Sequence, residues 1–139
     1  MNKSLISTIC TAFLLCSCSS NKEVITELSK YKNLSKNIEK IDVQFDNYSG
    51  KPFLFSITDN STITEVMDII FSQKLIYQGR DSKFAGDNTF ITLYEKETTY
   101  NMSVSFIEDD GIYYKFSTHD LSDKIDSLAR EAGAFENVE

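Results

Sequence analysis

From residue 41 onward, apolar and polar side chains alternate with a period of two. Ile41, Val43 and Phe45 alternate with Asp42, Gln44 and Asp46, the pattern of a strand with one buried face. The segment 47–52, NYSGKP, reads as a turn, because Gly50 tolerates positive φ and Pro52 cannot donate to a ladder. Phe53, Phe55 and Ile57 then continue the alternation, so the two runs form a hairpin. The period next changes to that of a helix. Ile63, Val66, Met67, Ile70 and Phe71 share one face, which predicts a helix over about 62–73. Asp59, Asn60, Ser61 and Thr62 offer N-cap oxygens, and Glu65 follows Thr62 at capping-box spacing.

Residues 74–79 predict a third strand, and 80–88 a polar loop containing Asp81, Gly86 and Asp87. Strands follow over 90–95 and 100–107, joined by a charged turn. In the second of them Tyr100, Met102, Val104 and Phe106 are expected to face inward, and Asn101, Ser103 and Ser105 outward. Residues 108–111, EDDG, suit a hairpin loop with Gly111 in the left-handed position. Ile112, Tyr114 and Phe116 form the inner face of the last strand. Asp120 is placed to cap a final helix with the stripe Leu121, Ile125, Leu128 and Ala132, and Gly133 sits at its C′ position. The order β-β-α-β-β-β-β-α predicts an α+β fold: an antiparallel sheet of five to six strands with two helices packed on one face. The expected core contains Val43, Phe55, Met67, Ile70, Val104, Phe106, Tyr114, Phe116, Ile125 and Leu128.

The N-terminal part is built differently. Lys3 precedes an eleven-residue apolar run, residues 5–15, which is shorter than the ~20 residues a spanning helix needs. It reads as a signal-peptide core. The run ends in Leu15-Cys16-Ser17-Cys18. This resembles the lipobox of bacterial lipoproteins, with Leu three residues before the cysteine and small residues between. Cys16 has Leu15 directly before it, where the family has Gly, Ala or Ser, so Cys18 is the expected acceptor. The resemblance covers the leader alone. It implies cleavage before Cys18, a diacylglyceryl group on its sulfur and anchoring in the cell envelope. Ser19 after the cysteine, where Asp would retain a Gram-negative lipoprotein at the inner membrane, favours the outer membrane. The domain plan is then 1–17 signal peptide, 18–40 lipid-anchored tether, and 41–139 a single globular domain. Val24, Leu28, Tyr31, Leu34 and Ile38 recur at helical spacing, so the tether is expected to be partly helical.

Charge narrows the function. The chain of 139 residues has a net charge of −7. Residues 19–40 hold five Lys against three Glu, and residues 41–139 hold eight basic against eighteen acidic residues. The acidic body argues against nucleic acid, which needs a basic face. All three cysteines lie within the first eighteen residues, so a body cleaved before Cys18 and acylated on its sulfur has no free thiol for catalysis or zinc.

Candidate chemistry is sparse. His119, the only histidine, precedes Asp120 and is flanked by Ser117 and Ser122, but no nucleophile-elbow motif accompanies it. Glu108, Asp109 and Asp110 are too consecutive for a calcium loop, whose ligands alternate. No Gly-rich phosphate loop is present. Tyr77, Tyr94 and Tyr113 are expected on an outer sheet face, and Tyr113, Lys115, Ser103 and Ser105 make up the candidate partner surface. The same residues also suit cross-strand stabilisation. The expected role is a non-catalytic binding module in the envelope, without cofactor or metal, whose acidic surface suits a basic protein partner. The alternative is a small hydrolase using two converging carboxylates in a pocket.

Overall fold

The structure is a computed structural model that describes residues 22–46, 50–80 and 89–136. Strands β1 (Lys22–Glu23), β2 (Lys40–Phe45), β3 (Phe53–Ile57), β4 (Leu75–Gly79), β5 (Phe90–Glu95), β6 (Thr98–Ser103), β7 (Phe106–Asp109) and β8 (Ile112–Phe116) join helices α1 (Asn60–Ser72) and α2 (Asp120–Glu131). The fold is α+β and every strand pair is antiparallel. The strands divide into two four-stranded sheets, ordered β1-β4-β8-β7 and β3-β2-β5-β6, where the sequence predicted one sheet.

The division arises at a break in the predicted strand 100–107. Ser103 Oγ accepts a hydrogen bond from the Ser105 N–H at 3.2 Å, a local bond that competes with the ladder and bends the chain. The Val104 N–H still reaches the Thr89 carbonyl beside the β3-β2-β5-β6 sheet, while the Ser105 carbonyl accepts from Phe116 N–H of the β1-β4-β8-β7 sheet. The chain thus crosses between sheets in two residues. The inward phase slips from Met102 and Val104 to Ile107. Phe106 is therefore only half-buried, and Ser103 is buried, both contrary to the alternation.

A second correction concerns residues 22–39, within the 18–40 stretch that the sequence assigned to a lipid-anchored tether rather than to the core. Ile25, Leu28, Tyr31, Leu34 and Ile38 are all buried in the same apolar cluster as the sheets and helices. The first four recur every three residues, the period of a 3₁₀-helix rather than an α-helix. Two 3₁₀ turns, Ile25–Glu27 and Ser29–Tyr31, deliver them inward, while Val24 stays exposed. The segment is a wall of the core, and β1 adds an edge strand against β4.

The helices follow the sequence closely, with differences at their starts. Asp59 is the N-cap of α1, accepting from the Thr62 N–H at 2.8 Å. The Thr62–Glu65 capping box is not used, and Glu65 instead pairs with Lys124 of α2. The N-cap of α2 is His119, and Asp120 is its first residue. Leu121, Ile125 and Ala129 are the buried stripe of α2, with Leu128 half-buried and Ala132 exposed. Gly133, at φ 95°, closes α2. Its N–H reaches the Arg130 carbonyl and the Ala134 N–H reaches that of Ala129, the paired bonds of a Schellman motif. Helix α1 packs on α2, and α2 on β2. Of the ten expected core residues, Phe55, Phe106 and Leu128 are half-buried and the other seven are buried.

Candidate functional site

The outer face of β3-β2-β5-β6 is covered by no other element among the described residues. Register alone places its side chains in rows. Gln44 lies opposite Leu54 on one side and Phe90 on the other, and Asp42 lies between Ser56 and Thr92. Thr92 is in turn opposite Asn101. At neighbouring-strand spacings of about 4.8 Å, Leu54 and Phe90 stand roughly 10 Å apart with Gln44 between them. Leu54 is 68% exposed and Phe90 40%, so the apolar row opens directly to solvent.

The other end of this face is polar and cross-braced. Asp42 accepts from Ser56 Oγ at 2.6 Å and from Tyr94 Oη at 2.8 Å. Lys40 Nζ lies 3.2 Å from the same carboxylate and 4.2 Å over the Tyr94 ring. Burial pushes the Asp42 carboxyl up, but the Ser56 and Tyr94 hydroxyls and Lys40 outweigh it and hold the group below its ordinary range. The bond to Asp42, with burial, raises the Tyr94 phenol in return. The Thr92 hydroxyl bonds Asn101 Oδ1 at 2.7 Å. One end of the face is thus a fixed polar lattice and the other an exposed apolar pair.

Three shallow clefts meet at Phe90. One of about 540 Å³ runs over the face itself, lined by Asp42, Gln44, Leu54, Ser56, Thr92 and Tyr94. A second, of about 500 Å³, lies at the break between β6 and β7 and includes Lys30, Asn101, Ser103, Phe106 and Glu108. The third, of about 450 Å³, is bounded by Gln44, Asp46, Gly50 and Pro52.

The sequence-derived partner surface is divided by the fold. Tyr113 and Lys115 lie on β8 in the other sheet, where Lys115 is exposed opposite Phe106 and Tyr113 opposite Glu108. The rings of Tyr113 and Phe106 are 6.1 Å apart. Ser103, at 2% exposure, belongs to β6, and Ser105 is half-buried at the crossing. Neither joins Tyr113 and Lys115 in one face. Tyr77 is 50% exposed and packs edge-on against Tyr114, whereas Tyr94 belongs to the Leu54–Phe90 face. That face could have been found partly in sequence. Leu54 falls on the outward phase of its strand, but its pairing with Phe90 depends on β2 separating β3 from β5.

The remaining sequence candidates are dispersed. His119 is exposed and makes no capping bond. The Ser117 hydroxyl accepts from the Lys74 N–H at 3.1 Å, and Thr118 bonds the buried Gln73 amide, whose Nε2 donates to Thr118 Oγ1 at 2.8 Å. The three acids of the β7–β8 turn point to separate tasks. Glu108 pairs with Lys30 and accepts from the Gly111 N–H, Asp109 faces residues 29 and 30, and Asp110, at φ 52°, forms the turn with Gly111. Each described carboxyl with a shifted ionisation, namely Asp42, Asp59, Glu108 and Asp109, is shifted downward. A general acid at neutral pH needs the opposite shift. Among the described residues no cluster of His, Cys, Asp and Glu could hold a metal ion, and every buried side-chain nitrogen and oxygen has a partner. Cys18 and the 81–88 loop lie outside the described residues. No helix among the described residues is long and apolar enough to cross a membrane. Compared with family models, with characterised proteins and with solved structures, the chain shows no significant match.

Proposed function

We propose that this chain is a bacterial envelope lipoprotein, anchored through acyl groups on Cys18. Its folded body is a non-catalytic interaction module that offers the β3-β2-β5-β6 face to a protein partner. The observation that carries this reading is the exposed Leu54–Phe90 pair beside a braced polar lattice. A contact surface benefits from an apolar centre that desolvates and from fixed polar groups that set orientation. Asp42 and Asp46 beside it, and the acidic body as a whole, suit a partner with a basic rim. The leader supports the anchor: its apolar run is too short to span, and its last four residues match the lipobox order. The outer membrane is the expected location, from Ser19 after Cys18.

Two measurements test the proposal separately. For the anchor, Cys18→Ser is expected to shift the protein from the membrane to the soluble fraction or to leave the leader uncleaved. Mass spectrometry showing an unmodified Cys18, or a lipid on Cys16, refutes it. For the surface, a photocross-linking residue at position 90 is expected to capture one discrete partner in intact cells. The same residue at position 115, on the other sheet, is expected to capture none. Equal labelling from both positions removes the face from consideration.

A further inference from the structure

Four strand edges border the two sheets, and three of them carry features that deter pairing. β1 is only two residues long, β7 (FIED) ends in two acids, and β6 (TTYNMS) is mostly polar. β3 is the exception. Its five residues, FLFSI, bear no charge and no proline, and among the described residues β2 is its sole strand partner. Leu54 is its most exposed side chain, Ser56 is also exposed, and Phe53 and Phe55 are half-buried. An uncharged, apolar edge of this kind presents unpaired backbone donors and acceptors to any matching strand.

We infer that β3 pairs with β3 of a second copy of this chain, antiparallel about a two-fold axis at Phe55. The edge is complementary to itself in that register. Each residue faces the one equally far on the other side of position 55, so Phe53 meets Ile57 and Leu54 meets Ser56. Beyond the ends of the strand, the same symmetry sets Lys51 of each copy, in the bend before β3, on the side of Asp59 of the other, the N-cap of α1, and both are exposed. Opposite charges therefore close both ends of the seam, where directly opposed like charges would repel. A register centred on position 54 or 56 loses both charge pairs. The pairing is isologous and closes after two copies, so it does not propagate into a fibre. It joins two four-stranded sheets into one of eight. The cleft lined by Asp42, Gln44, Leu54 and Ser56 then borders the second copy's Leu54 and Ser56 across the seam.

The seam is tested with the full chain carrying Cys10→Ser, Cys16→Ser and Cys18→Ser, purified in mild detergent, so that any thiol is an introduced one. Copies with Leu54→Cys and copies with Ser56→Cys are oxidised alone and mixed. Directly opposed positions are close enough for a disulfide, whereas the diagonal pairs available to either variant alone are about 7–8 Å apart. The inference expects rapid cross-linking in the mixture and little in either variant alone. Sedimentation of the chain without introduced cysteines is expected to show a dimer. Leu54→Lys is expected to weaken it by about tenfold or more, and because Leu54 is exposed the circular dichroism should not change. A chain that sediments as a monomer, a dimer that Leu54→Lys leaves intact, or cross-linking no faster in the mixture than in a single variant overturns it.

Discussion

The hydroxyl of Ser29 donates a 2.8 Å hydrogen bond to Oδ1 of Asp109, and the Ser29 N–H donates one of 3.0 Å to Oδ2 of the same carboxylate. The Lys30 N–H adds a third at 3.0 Å. Asp109 is buried at 8% exposure. One side chain in the β7–β8 hairpin thus satisfies the start of the second 3₁₀ turn, about eighty residues earlier. Burial alone would raise its ionisation, but the three bonds and the nearby Lys30 charge outweigh it and hold the carboxyl below its ordinary range.

That clamp predicts acid sensitivity. A carboxyl whose folded ionisation is lowered stabilises the fold above its unfolded pKa, about 3.9, and loses that contribution as pH falls through its lower folded value. Asp109→Ala is expected to cost about 1.5–3 kcal/mol at neutral pH, as for hydrogen bonds to a charged group. The difference from the parent chain should shrink below about pH 4. Urea melts at neutral and acid pH measure both. A pH-independent difference would contradict the clamp.

If residues 22–39 are core rather than tether, truncating them must destabilise the whole domain. Leu28→Ala is expected to cost about 2–5 kcal/mol, and Tyr31→Ala a similar amount, as for other large buried side chains. Tyr31→Phe, which removes only the 2.8 Å bond to the Asn101 carbonyl, should cost about 1 kcal/mol. Burial, with the charges of Asp109 and Glu108, pushes the Tyr31 phenol up, so it should resist titration in alkaline absorbance scans until the protein unfolds. Unchanged melts in all three variants would return the segment to a tether.

The phase slip at the sheet crossing separates two neighbours. Ile107→Ala should cost about 2–5 kcal/mol, because Ile107 is buried on the inner face. Phe106→Ala should cost less, since Phe106 lies half-buried on the outer face against Tyr113. Equal losses in thermal melts would mean that the alternation continues unbroken through Val104.

At the start of α1 the cap is Asp59, not Thr62 with Glu65. Asp59→Ala is expected to destabilise by about 1 kcal/mol, and Asp59→Asn to retain most of the cap. Glu65→Ala removes an exposed pair with Lys124 and should cost no more than about 1 kcal/mol. A loss larger for Glu65→Ala than for Asp59→Ala would restore the capping box.

Nearest-neighbour rules were enough for much of this fold. The inward phase of Ile41, Val43 and Phe45, the stripe of Ile63, Val66, Met67 and Ile70, and the turn roles of Gly111 and Gly133 all depend on residues within a few positions. Steric period and backbone freedom act at that range, so these features are legible in sequence. The α+β class follows from them. What long-range pairing decides was not legible. The three-residue recurrence of Ile25, Leu28, Tyr31 and Leu34 fits both a loose helix and a buried 3₁₀ wall, and only the clamp to Asp109 and the core behind it select the second. The split into two sheets rests on one local bond between Ser103 and Ser105, worth little by itself. It prevails because Thr89 and Phe116 capture the freed backbone from opposite sides. The candidate face shows the same division. That Leu54 points outward follows from its phase, but that it shares a row with Phe90 follows from β2 lying between their strands, and the order of strands in a sheet is set by cooperative burial of the whole core.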